Sequence, residues 1–101
     1  MYRMTIVYSR PDDVAEFRRY YDEVHIPLAR RMQGLAGWNL VWIDDPASDA
    51  CLIAELYTGD KATMDAMLAS PEGQAANQDL ENFVTAPVAF LTGYEEQVEL
   101  S

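Results

Sequence analysis

Basic residues are scarce in this chain. One lysine and six arginines stand against 17 aspartates and glutamates in 101 residues, giving a formal net charge of −10 near neutrality. Such a balance repels phosphate backbones and anionic lipid surfaces, so neither nucleic acid nor a membrane is expected as a partner. The pairs Arg18-Arg19 and Arg30-Arg31 come nearest to a basic cluster and read as solvated helix positions. The lone cysteine, Cys51, has no partner for an internal disulfide, and with a single histidine it falls short of a four-ligand zinc site. No basic neighbour in sequence would stabilise its thiolate, which argues against a nucleophilic role. No run approaches the ~20 apolar residues that span a bilayer. The opening residues Met1 to Tyr8 lack the apolar core of a signal peptide. These shortages predict a soluble, cytoplasmic protein without a structural metal, and no internal repeat or linker divides it.

What the chain does have is core material. Half of its residues are hydrophobic, among them six Tyr, three Phe and two Trp, and only 24% are charged, so disorder is excluded. Its length suits one domain over residues 1–101.

The hydrophobic period changes along the chain in a definite order. Met4, Ile6 and Tyr8 alternate with Arg3, Thr5, Val7 and Ser9, which predicts a strand that Pro11 and Asp12 end. Asp13 with Glu16 forms an acidic capping box, after which Val14, Phe17, Tyr21, Val24, Leu28, Met32 and Leu35 recur at helical spacing. This predicts one long amphipathic helix ended by Gly34 and Gly37. Pro27 interrupts it by removing a backbone donor, so a kink or restart is expected just after His25. Trp38, Leu40 and Trp42 predict a second strand, Asp44 to Asp49 a turn, and Cys51 to Tyr57 a third strand paired as a hairpin. A short helix carrying Met64, Met67 and Leu68 follows. The helix then restarts at Ser70 as cap and Pro71 at its first position, with Ala76, Leu80 and Phe83 as its buried stripe. Val88 to Tyr94 closes the series as a strand, and Val98 and Leu100 let the tail continue it or pair with a neighbouring chain.

Strand, helix, strand, strand, helix, strand is the α+β, ferredoxin-like βαββαβ arrangement, with a four-stranded antiparallel sheet and helices on one face. Apolar residues such as Val41, Ile43, Ile53 and Tyr57 also occupy the other face, which two helices cannot reach. Packing that face on a second copy predicts a homodimer.

His25, the only histidine, falls on the helical wheel beside Tyr21, Leu28 and Met32, away from Arg18, Arg19, Asp22 and Glu23. Imidazole is the side chain that exchanges protons near neutrality, so an inward-facing His25 suggests proton-transfer chemistry. Burial lowers the pKa of such a group and a neighbouring carboxylate raises it. The bland reading is a core histidine bonded to a backbone carbonyl.

The series Ser9-Arg10-Pro11, Phe17-Arg18-Arg19-Tyr20-Tyr21, His25-Ile26-Pro27-Leu28 and Gly34-Leu35 resembles the EthD family, named for ethyl tert-butyl ether degradation. Ser70-Pro71-Glu72-Gly73 is similar to the second-helix start of related dimeric α/β barrels. The resemblance implies a ferredoxin-like protomer, a dimeric α/β barrel, and a pocket between sheet and helices near His25. Family members and neighbours include accessory proteins of ether degradation, lactone isomerases, and cyclases and cofactor-free oxygenases acting on aromatics. Tyr21 departs from the pattern, since many relatives carry tryptophan there.

Together these readings predict a small apolar carbonyl or aromatic ligand, with His25 as general acid/base of an isomerase or cyclase that needs no cofactor. A phenol such as Tyr8, Tyr21 or Tyr57 would donate to the developing enolate oxygen. Leu28, Met32, Trp38 and Phe83 complete the expected pocket, although Trp38 and Trp42 suit the dimer core equally well. Met64 and Met67 default to core filling. A haem site is disfavoured, because so acidic a chain offers no evident partner for the propionates. The competing reading is a non-catalytic binding protein, or an accessory protein of a degradative oxygenase system.

Overall fold

A computed structural model describes residues 1–101. Four strands, β1 (Tyr2–Ser9), β2 (Gly37–Trp42), β3 (Ala50–Thr58) and β4 (Val88–Tyr94), form one antiparallel sheet in the order β2-β3-β1-β4. Helices α1 (Val14–Tyr20) and α2 (Ile26–Ala29) precede β2, while α3 (Lys61–Ala69) and α4 (Pro71–Asp79) lie between β3 and β4. This is the ferredoxin-like βαββαβ order that the hydrophobic periods predict.

Alternation in the strands sorts the two sheet faces. Tyr2, Met4, Ile6 and Tyr8 of β1 are buried beneath the helices, whereas Arg3, Thr5, Val7 and Ser9 are half-buried on the open face. Register carries the pattern across the sheet. Trp38 pairs with Leu56 and Leu56 with Met4, so one row of apolar side chains lies under the helices. On the open face Arg3 pairs with Glu55 at 2.7 Å and with Glu95, and its guanidinium lies 4.4 Å from the centre of the Tyr57 ring. Glu55 therefore has its cationic partner within the chain.

The caps form where sequence places them. The Asp13 carboxylate accepts from the Glu16 N–H at 3.0 Å, and the Ser70 hydroxyl accepts from the Gly73 N–H at 3.1 Å with Pro71 opening α4. Gly73 is required by packing, because a Cβ there would lie 2.2 Å from the Met67 carbonyl oxygen. α3 and α4 thus meet at a sharp corner.

The first helical segment departs from the expected long helix. Tyr21–His25 forms a π turn between α1 and α2, with the Ile26 N–H donating to the Tyr21 carbonyl five residues back. Pro27 explains the widening: it has no N–H for the Glu23 carbonyl and its ring crowds that oxygen, which an extra residue in the turn relieves. The helix restarts at Ile26, directly after His25, and ends at Ala29 rather than at Gly34. Met32 is buried from an irregular segment, and Gly34 adopts φ +118°, a left-handed conformation that turns the chain toward β2. The tail from Glu95 onward does not continue β4 beyond one bond, from the Glu95 N–H to the Met1 carbonyl.

Candidate functional site

Between the sheet, the π turn and α4 lies a cavity of about 490 Å³. Its floor is the helix-facing row Met4, Ile6, Tyr8, Leu56 and Trp38; one wall is Tyr21, His25, Ala29 and Met32, and α4 supplies Ala76 and the amides of Gln74, Asn77 and Gln78. Twelve of its seventeen lining residues are hydrophobic, which suits a small apolar ligand held by a few polar groups.

The π turn sets the Tyr21 and His25 rings one above the other, 5.1 Å apart between centres, and both side chains are buried. Asp79, the last residue of α4 and buried outside the cavity lining, reaches His25 Nδ1 with Oδ2 at 2.9 Å. Its other oxygen, Oδ1, accepts from the Tyr20 hydroxyl at 2.7 Å and from the Asn82 side-chain amide at 3.0 Å. A carboxylate at a helix C-terminus opposes the helix dipole and a buried one loses hydration. Three donors offset that cost.

The ionisation states follow. Burial pushes Asp79 up, yet the bonds from Asn82, Tyr20 and His25 outweigh it and hold the carboxyl below its ordinary value. For His25, burial dominates and lowers the pKa below 6.5, with Asp79 opposing. At neutral pH the pair is therefore a neutral imidazole beside a carboxylate. Since a carboxylate only accepts, the ring proton sits on Nδ1 and Nε2 keeps its lone pair.

Of the residues expected in the pocket, Tyr8, Tyr21, His25, Met32 and Trp38 line the cavity. Leu28, Tyr57 and Phe83 do not. Ala29 continues the stack begun by Tyr21 and His25, which leaves Leu28 half-buried to one side. Tyr57 alternates with Leu56 and so projects from the open face of the sheet. Phe83 is buried behind the histidine, its ring 5.0 Å from the imidazole and 4.9 Å from Tyr20, where it fixes the ring without facing the cavity. Trp42 packs at the sheet face against Phe17, 6.2 Å between ring centres, rather than on the open face. Burial also pushes the Cys51 thiol up, which keeps it protonated.

Sequence reasoning missed Asp79, Tyr20 and Asn82. A signal for Asp79 existed: it lies three residues after Ala76 and four before Phe83, on the same buried stripe.

The EthD domain model matches residues 10–87. The chain belongs to the EthD family. A relative from Rhodococcus erythropolis, described as an uncharacterized 11.0 kDa protein in the thcB-thcC intergenic region, is 38% identical over 97% of this chain and 98% of its own. Among solved structures, an EthD family protein from Bacillus halodurans superposes with a TM-score of 0.89 at 25% identity, covering 95% of this chain and 99% of that one. A dimeric protein of unknown function and ferredoxin-like fold from Bacteroides fragilis gives 0.71 at 13% identity, covering 94% and 95%. The second likeness is one of fold.

Proposed function

We propose that this EthD protein binds a small, mostly apolar carbonyl or aromatic compound in the cavity and isomerises or cyclises it by proton transfer through His25, with no cofactor. The observation that carries this reading is the bond between Asp79 and His25 Nδ1 at the edge of an apolar cavity. A histidine kept only for packing needs no buried carboxylate held by two further donors.

The chemistry uses the chain's own groups. His25 Nε2 takes a proton from the carbon next to a carbonyl; the C–H pair becomes a C=C bond and the carbonyl π pair moves to oxygen. Returning that proton to another carbon of the enolate system completes an isomerisation; attack of the enolate carbon on a second carbonyl, whose π pair moves to its oxygen and there takes the proton back from His25, completes a cyclisation. Asp79 holds the productive tautomer and stabilises the imidazolium while it exists. Gain and loss of the proton balance, so neither oxidant nor reductant enters.

The test is a panel of lactones, phenols and β-keto esters followed by the imidazole resonances of His25, which need no assignment in a chain with one histidine. Compounds that shift them are then assayed for turnover with wild type and His25→Ala. The reading expects turnover to fall by ~10²–10⁴-fold in the variant. Binding without turnover in the wild type would instead make this a binding or accessory protein.

The proposal includes a homodimer, with residues 1–101 acting as one cytoplasmic EthD unit. The row Val41, Ile53, Val7 and Ala89 crosses the open sheet face, where Val41 is 49% and Leu91 59% exposed. An antiparallel sheet normally buries such a face, and a second copy supplies a matching one. That the Bacteroides fragilis protein of the same fold is dimeric supports a dimer here, without specifying its faces.

A further inference from the structure

The cavity crosses the whole sheet. Its floor takes helix-facing side chains from every strand, Trp38 from β2, Leu56 from β3, Ile6 from β1 and Phe90 from β4, so it spans three strand spacings, about 14 Å. At β4 it opens. Phe90 pairs with Ile6 in register yet is 47% exposed, since the helices leave this edge strand uncovered. The other lip of the opening is one flank of α4. At about 100° per residue Asn77, Gln74 and Gln78 follow one another on that flank, Asp79 lies on the opposite flank, and Gly73, Ala76 and Leu80 fall between them. The cavity thus passes beneath α4, under the small residues Gly73 and Ala76, from the side that holds His25 to a mouth lined by three exposed amides.

The chemistry of this mouth is selective. None of the seventeen lining residues is Asp, Glu, Lys or Arg, although such residues make up 24% of the chain. An anionic ligand would meet a net charge of −10 and the Asp79 carboxylate bonded to His25, with no cation in the lining to hold it. The amides ask for something else. The Gln74 side-chain nitrogen donates to the Ala69 carbonyl at 2.9 Å, which leaves the Gln74 oxygen as an acceptor. Asn77 and Gln78 are exposed, with amide N–H groups that donate to nothing in the chain. A group that meets both must donate and accept at once, and a hydroxyl does so.

We infer that Gln74, Asn77 and Gln78 form an outer subsite at the cavity mouth, which holds a neutral hydroxyl group of the ligand with its ring against Phe90 while the reacting carbonyl lies at His25. This narrows the ligand to an uncharged, elongated aromatic carbonyl compound, hydroxylated at the end remote from the carbonyl. The inference rests on the cavity being the working site proposed above. The three amides set specificity and take no part in the proton transfer.

Three naphthalene compounds are the probes, each with an acetyl group at one end and, at the other, hydroxymethyl, ethyl or carboxylate. Their fluorescence reports binding to the full chain. The hydroxymethyl compound should saturate the wild type and the carboxylate should not. Gln74→Met and the double variant Asn77→Leu/Gln78→Leu should each weaken the hydroxymethyl compound by up to about tenfold while leaving the ethyl compound bound as before. All substituted positions are exposed, and circular dichroism confirms that the variants keep their helices. Variants that weaken both neutral compounds alike, or neither, would overturn the subsite. So would tight binding of the carboxylate, or failure of the hydroxymethyl compound to saturate the wild type. Turnover is a separate readout: if it survives His25→Ala while the hydroxymethyl compound still depends on the amides, the base assignment fails and the outer subsite stands.

Discussion

His25 and Asp79 are 54 residues apart in sequence and 2.9 Å apart in the fold. The bond joins the π turn to the end of α4, and of the two residues His25 lines the cavity. It leaves a neutral imidazole with its proton on Nδ1, beside an ionised carboxylate.

Replacing the carboxylate should reveal its effect on the imidazole. In Asp79→Asn the influence that raises the His25 pKa disappears while burial remains, so the imidazole should titrate at a still lower pH than in the wild type. The amide can also accept or donate, which releases the tautomer. We expect turnover to fall by about 10²-fold or more. Proton NMR titration of the two proteins, beside their pH profiles, checks both; an unchanged imidazole titration would remove Asp79 from the mechanism.

Stability should decline on the acid side in two stages. His25 has a folded pKa below 6.5, so as the pH falls from 6.5 toward the folded value the unfolded chain takes up the more protons and stability is lost. Asp79, also lowered in the fold, contributes stability that is complete above 3.8 and is lost as the pH falls through its folded pKa. Urea unfolding from pH 7.5 to 2.5 should show a midpoint that falls first below pH 6.5 and again below pH 3.8 in the wild type, and a flatter profile just below pH 6.5 in His25→Ala. Equal profiles would mean that His25 titrates alike in both states.

Gly73→Ala tests the corner between α3 and α4. The added methyl would meet the carbonyl oxygens of Met67 and Leu68 at 2.2 and 2.7 Å, and backbone cannot yield as a side chain does. Overpacking of this kind costs about 1–3 kcal/mol. Because α4 carries Asp79, the ligand-induced shift of His25 should weaken as well. Denaturant midpoints and the imidazole spectrum read the two effects separately.

Val41→Asp should report on the second copy. A carboxylate on the open face, at edge strand β2, would be buried without a partner in a face-to-face dimer, so sedimentation should find monomer at concentrations where the wild type is dimeric. Val41 lies across the sheet from the cavity floor, and the monomer should keep its helix content by circular dichroism. A wild type that sediments as a monomer would refute the proposed assembly.

Much of the fold is legible in the residues themselves because its signals are local. Period-two runs in β1 to β4, Asp13 and Ser70 as caps, and Pro27 as an interruption act within a turn or two of themselves. The resemblance in the series from Ser9 to Leu35 likewise leads to the EthD family. His25 stands out for the same reason, being a single titratable ring on an apolar stripe.

Tertiary structure alone decided what His25 meets. Whether burial or a carboxylate governs an imidazole depends on distances in space, and Asp79 arrives from an element more than fifty residues away. The π turn, a compromise between Pro27 and helical bonding, set Ala29 rather than Leu28 against the cavity. Strand alternation named the faces, but only the placement of the helices assigned Trp38 and Trp42 to the covered face and Tyr57 to the open one. Sequence determined which residues share a face; packing determined which faces share a cavity, because that depends on contacts no local pattern encodes.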